Sequence, residues 1–223
     1  MTDTYSLPDA GQPGALPQSP ITGLIGRSRE LAELETLLSA DRAAPVWLTG
    51  YEGIGKTALI CETARKLVAS GRFERVVYTS LGVAGITEAT LYDLGQSLIG
   101  PEFKLSENAL PEIEQALADR PTLVIWDDVG TILYGGSQAL DQPALLTWYQ
   151  TANRIATQGR SALCLISDGI ELPPSSRRLA GVQEYQVGIL ADDAATELGQ
   201  ALDQATARQE PLTSWQQLVG WLG

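Results

Sequence analysis

A chain of 223 residues, 44% apolar and 19% charged, is long enough for one well-filled core and too apolar to remain unfolded. Its 15 basic against 27 acidic residues leave a net charge of -12, which argues against affinity for a nucleic-acid backbone. Histidine is absent, which excludes His-dependent metal sites, Ser-His-Asp triads and histidine general bases.

In chain order, residues 1–20 carry Pro8, Pro13, Pro17 and Pro20 with no apolar periodicity and read as a flexible leader. One domain is expected over 21–223. Ser28 is expected to cap a helix bearing Leu31, Leu34, Leu37 and Leu38. "APVWLTG" reads as a buried strand, and "KTALICETARKLVASG" as a helix bearing Leu59, Ile60, Thr63 and Leu67 that stops at Gly71. "RVVYTSL" is a further strand. Helices follow from Thr87, with Leu91, Leu94 and Leu98, and over "NALPEIEQALADR". "PTLVIWDDV" is an apolar strand, "GTILYGGSQALDQP" a loop, and "QPALLTWYQTANRIATQG" a helix. "SALCLISDG" and the weaker "YQVGIL" complete the strands, ahead of helix "DDAATELGQALDQA". Apolar strands alternating with helices predict an α/β fold, a parallel five-stranded sheet with helices on both faces.

No run approaches the roughly 20 apolar residues of a membrane span, and the opening residues lack a secretory signal, so a cytoplasmic chain with no membrane partner is expected. Cys61 and Cys164 lie in apolar segments and read as buried thiols.

Gly50, Gly55, Lys56 and Thr57 satisfy G-x-x-x-x-G-K-[ST] between a strand and a helix, the setting in which this P-loop pattern cradles phosphate. Glycines let backbone N–H groups and the positive end of the following helix face a polyphosphate, and Gly53 adds freedom within the loop. Lys56 is expected to reach the β and γ phosphates and Thr57 to offer its hydroxyl to Mg²⁺. Magnesium prefers oxygen ligands, and "TLVIWDDV" supplies Asp127 as its second holder and Asp128 to polarise an attacking water.

The order "GLIGRSRELAELETLL", "GYEGIGKTAL", "TLVIWDDV", "SALCLISD", "YQVGILADDAATEL" resembles the nucleotide-binding domain of STAND ATPases, the NB-ARC-like switches related to AAA+ proteins. The resemblance implies ATP and ADP as ligands with Mg²⁺. It places Leu24, Ile25 and Arg27 against the base and ribose, and Glu52, Ile54 and Ala58 with Gly50, Gly53, Gly55, Lys56 and Thr57 around the phosphates. It also implies that the Asp127 strand lies beside the phosphate-loop strand. Where the family has an arginine sensing the γ-phosphate, Ser167 is here followed by Asp168, with Arg160, Arg177 and Arg178 as candidate substitutes. The family's Gly-x-Pro segment, winged helix and repeat or effector domains would lie beyond this chain. Trp215, Leu218, Trp221 and Leu222 would then form an apolar face toward them.

The leading expectation is a nucleotide-gated switch with slow Mg-dependent hydrolysis, assembling into a homo-oligomer when activated. Two alternatives stay open: a ring-forming AAA+ motor using Arg154, Arg177 or Arg178 across subunits, and a module that binds nucleotide without hydrolysing it. No N-K-x-D motif supports a GTPase.

Overall fold

The computed structural model describes residues 14–40, 44–81, 87–133, 139–169, 172 and 174–206. Five strands, β1 (Val46–Thr49), β2 (Arg75–Ser80), β3 (Thr122–Asp127), β4 (Ala162–Ile166) and β5 (Gln183–Gln186), form one parallel sheet in the order β2-β3-β4-β1-β5. The helices are α1 (Ser28–Ser39), α2 (Lys56–Ala69), α3 (Thr87–Leu98), α4 (Ala109–Asp119), α5 (Gly130–Leu133), α6 (Gln142–Ala156) and α7 (Asp192–Thr206), with a 3₁₀ turn at Pro174–Arg178.

Side chains alternate across each strand, so the sheet divides the core in two. Val46, Leu48, Leu123, Ile125, Ala162, Cys164 and Ile166 pack under α1 and α2, where Leu34, Leu38, Leu59, Ile60 and Leu67 are buried. Trp47, Val124, Trp126, Leu163 and Leu165 face the other way, onto residues of α3, α4 and α6 that include Leu94, Ile113, Trp148 and Tyr149. Both thiols are buried, and burial pushes Cys61 up to about 12.

Several expectations need correction. The Asp127 strand does not adjoin the phosphate-loop strand: β4 lies between β3 and β1. A run of apolar residues marks a buried strand but carries no record of its neighbour. Ser28 is the first helical residue of α1; Arg27 occupies the cap position and no side chain caps the helix. The chain is ordered before Ile21, because Gly14 accepts a hydrogen bond from the Tyr78 N–H of the edge strand β2 and Leu16 is buried against the core. The segment read as a loop after β3 begins with the helical turn α5. Residues 134–138, the N-terminal residues 1–13 and the apolar face at Trp215, Leu218, Trp221 and Leu222 lie outside the described residues.

Two features tie the elements around the sheet together. Helix α2 stops as expected: Gly71, at φ 75°, donates to Val68 O while Arg72 N–H donates to Leu67 O, satisfying the last carbonyls. Across the sheet centre, Ser167 N–H donates to Leu48 O at 3.1 Å, and the Trp47 indole donates to Ser167 Oγ at 2.9 Å. Ser167 is therefore a link between β1 and β4. A Ser167→Ala variant leaves the Trp47 N–H buried without an acceptor, which costs about 1–3 kcal/mol. Thermal denaturation should show a Tm lowered by roughly 2–4 °C per kcal/mol lost.

Candidate functional site

The carboxyl ends of β1, β3 and β4 converge on residues 50–57. Gly50, Gly53 and Gly55 have φ of 146°, 76° and 96°, which side-chain-bearing residues rarely adopt. A Cβ on Gly50 would lie 2.8 Å from Val187 O, so this position is closed to larger residues. At Gly53 and Gly55 nothing lies within 4 Å of such a Cβ, which leaves open space over the loop. The loop is held from below. Gly50 N–H donates to Gly169 O at 2.6 Å, and Arg27, almost fully buried, bridges Glu30 at 2.7 Å and Ile54 O at 3.1 Å.

Gly55 is the cap residue of α2, and no side chain bonds to the helix start. Leu59 N–H bonds to Gly55 O, the first bond of the helix ladder. The N–H groups of Lys56, Thr57 and Ala58 therefore form the uncapped positive end of a 14-residue helix, pointing toward the loop. This is a donor set that fits an anion such as phosphate.

Lys56 lies beneath the loop. Its ammonium donates to Gly50 O at 3.0 Å, Tyr51 O at 2.8 Å and Asp168 Oδ1 at 2.7 Å. The lysine side chain is 6% exposed and that of Asp168 59%. Thr57, the next residue, donates its hydroxyl to Asp127 Oδ2 at 2.6 Å. Although β4 separates their strands, α2 covers the sheet face and brings Thr57 to the end of β3. A hydroxyl and a buried carboxylate meeting in this way are hard oxygen donors of the kind Mg²⁺ takes.

Asp127 has two further partners. Tyr78, from β2, donates to the same Oδ2 at 2.8 Å, and the Asp128 N–H donates to Oδ1 at 2.8 Å. Burial pushes the Asp127 carboxyl above its ordinary value; the bonds from Thr57, Tyr78 and Asp128 oppose that rise, and the Asp128 charge adds to it. The Tyr78 phenol is likewise pushed up, by burial first and then by the Asp127 charge. Asp128 is exposed, at a φ of 57° that is strained for a non-glycine residue, and accepts a 2.5 Å bond from Ser80. Tyr78 and Ser80 were not read as site residues. Their signal was present in "RVVYTSL": two polar-tipped residues of equal parity at the carboxyl end of a strand.

Among the other expected residues, Leu24 packs against the core below α1, and Ile25 is half-buried. Glu52 is exposed on the open loop, with Ile54 and Ala58 half-buried. Gly26, at φ 69°, meets α7, where an added Cβ would lie 2.4 Å from Ala194 Cβ. The segment 24–27 thus sits between the loop and α7. The candidate arginines are elsewhere. Arg160 precedes β4, at the opposite edge of the sheet, and its carbonyl accepts from Arg72. Arg177 and Arg178 are exposed beside Asn153 of α6, and Arg154 is held by Glu114 in a two-pronged pair at 2.6 and 2.7 Å.

No family model and no curated protein matches the sequence. Solved structures do. The chain is similar to Cdc6p from Pyrobaculum aerophilum (20% identity, TM-score 0.60, covering 88% of this chain and 52% of that one). It is similar to the Aeropyrum pernix ORC1 protein in complex with DNA (16%, 0.60, 81% and 50%) and to Drosophila ORC bound to DNA (16%, 0.58, 86% and 52%). The chain spans about half the length of these proteins. The shared architecture is the α/β fold of P-loop NTPases. Two of these structures are DNA complexes, which overturns the expectation that such a chain has no nucleic-acid partner. Net charge averages a whole surface, whereas contact with a phosphate backbone needs only a local cluster or a neighbouring domain.

The Asp127 environment has a consequence for stability. A carboxyl whose folded value is raised contributes stability that is fully present below about pH 4 and is lost as pH rises through the raised value. At neutral pH its charge is a cost. Asp127→Asn should therefore raise the Tm of the nucleotide-free protein at pH 7.5 and flatten its decline from pH 4 upward. A Tm that falls in the variant would contradict this balance.

Proposed function

We propose that the chain is a nucleotide-binding switch domain that takes ATP and ADP with Mg²⁺ at residues 50–57, exchange between the two altering how neighbouring segments pack. The observation that carries the reading is the uncapped start of α2 behind three positive-φ glycines, with an ammonium below the loop and the Thr57–Asp127 oxygen pair beside it. The finer assignment, a STAND domain of the NB-ARC kind, is supported by the order of its sequence motifs.

Each residue has a physical task in this reading. The N–H groups of Lys56, Thr57 and Ala58 bind phosphate oxygens, and the Lys56 ammonium neutralises the outermost phosphate it reaches. Thr57 and ionised Asp127 would hold Mg²⁺, the hydroxyl donating to Asp127 while its oxygen keeps a lone pair for the metal. When bound, the ion would neutralise phosphate charge and fix its orientation. Tyr78 holds Asp127 in place and favours its ionised form. Asp128, exposed at the strand end, is the candidate base for a water; without a positioned arginine, hydrolysis would be slow.

The switch has a route outward. Arg27 grips the Ile54 carbonyl while the adjacent Gly26 packs on Ala194, so a shift of the loop is transmitted to α7. A winged helix and repeat or effector domains beyond α7, and self-association on activation, are the partners this reading entails. A second reading, an AAA+ assembly acting on DNA, is favoured by the two DNA complexes among the similar structures. Fluorescence anisotropy with duplex DNA, with and without Mg-ATP, separates the two.

Nucleotide at about 100 times its Kd should stabilise the protein by about 2.7 kcal/mol. Differential scanning fluorimetry would then show a Tm raised by roughly 5–10 °C. Lys56→Ala should abolish the shift, and an unshifted wild-type protein at millimolar Mg-ADP and Mg-ATP would defeat the proposal.

A further inference from the structure

The Lys56 ammonium has three hydrogens and three acceptors, Gly50 O, Tyr51 O and Asp168 Oδ1, at 3.0, 2.8 and 2.7 Å. No hydrogen is left over for a phosphate. The side chain is 6% exposed, so it cannot turn to solvent to acquire another partner. A phosphate oxygen that reaches this nitrogen must therefore replace one of the three.

The two carbonyls are poor candidates for replacement. They belong to the loop backbone, which is pinned where Gly50 bonds Gly169 and approaches Val187. Asp168 differs from both: its acceptor is on a side chain, 59% exposed, that can rotate outward. Binding is then an exchange of one anion for another on a single ammonium. The displaced carboxylate cannot go far, because β4 on one side and the Gly50–Gly169 bridge on the other hold its backbone beside the loop.

We infer that Asp168 makes this site selective for a nucleoside diphosphate over the corresponding triphosphate. The inference rests on the nucleotide reading above and adds a residue that sets its preference. A triphosphate carries more negative charge and extends one phosphate further at the edge where Asp168 remains tethered. A diphosphate also takes the lysine from Asp168 but ends short of the displaced carboxylate. Selectivity of this kind comes from a repulsive element placed against the competitor. At rest, the same carboxylate keeps a nearly buried ammonium from standing unpaired.

The test is calorimetric titration of the full chain, freed of nucleotide, with Mg-ADP and with the Mg complex of an ATP analogue bearing a β–γ imido bridge. Wild-type protein should bind the diphosphate at least about tenfold more tightly. Asp168→Asn should bring the two affinities within about threefold of each other, mainly by gain on the triphosphate side, while Asp168→Glu should keep the preference. Equal affinities in the wild type would overturn the inference, and this result needs no variant to fold. A preference unchanged in Asp168→Asn would overturn it too. Absence of binding of either nucleotide by all three proteins would instead remove the nucleotide reading, and this inference with it.

Discussion

A nearly buried ammonium has to be surrounded by oxygens, and at Lys56 that requirement organises the carboxyl edge of the sheet. Two of its acceptors are backbone carbonyls of the loop, so the loop must curl over the lysine, which demands positive φ at Gly50, Gly53 and Gly55. The third is Asp168, which follows the strand paired directly with β1. The strand order and the loop shape thus meet at one nitrogen. The first turn of α2, left uncapped by the same curl, presents its N–H groups to the space above.

The neighbouring carboxylate obeys the opposite constraint. Asp127 is buried and has three donors, from Thr57, Tyr78 and the Asp128 backbone, yet burial still outweighs them and raises its proton affinity. Such a group is poised rather than relaxed: a nearby cation would relieve the cost of its charge. Each half of the site therefore holds a charged group that a polyphosphate with its metal could engage. Lys56 is held by an anion that can be exchanged, and Asp127 bears a charge that its hydrogen bonds do not fully offset. A polyphosphate with its magnesium would address both at once.

Much of this was legible in the sequence, and the reasons differ by residue. The loop could be read because its chemistry needs glycines, a lysine and a threonine at fixed spacing, and each apolar strand announced its own burial. Strand neighbours could not be read, since β3 and β1 carry no mark of the β4 strand between them. Asp168 was legible only as the residue standing where a sensing arginine would be; that it would find Lys56 depended on β1 and β4 pairing. Tyr78 and Ser80 escaped notice because a polar residue in a strand is ordinary until the neighbouring strand end is known. Leu16 was hidden in a proline-rich stretch whose composition suggested a leader, though it packs on the core. The overall charge misled for a simpler reason: it says nothing of where basic residues gather or of what a larger assembly adds.

The central claim is that Lys56 exchanges its carboxylate partner for phosphate at this loop. A crystal structure determined with Mg-ADP tests it most directly. The account predicts the terminal phosphate over the start of α2, with Lys56 Nζ within hydrogen-bonding distance of it and no longer bonded to Asp168. Nucleotide bound elsewhere, or bound over the loop with the Lys56–Asp168 pair intact and no phosphate on the lysine, would contradict it.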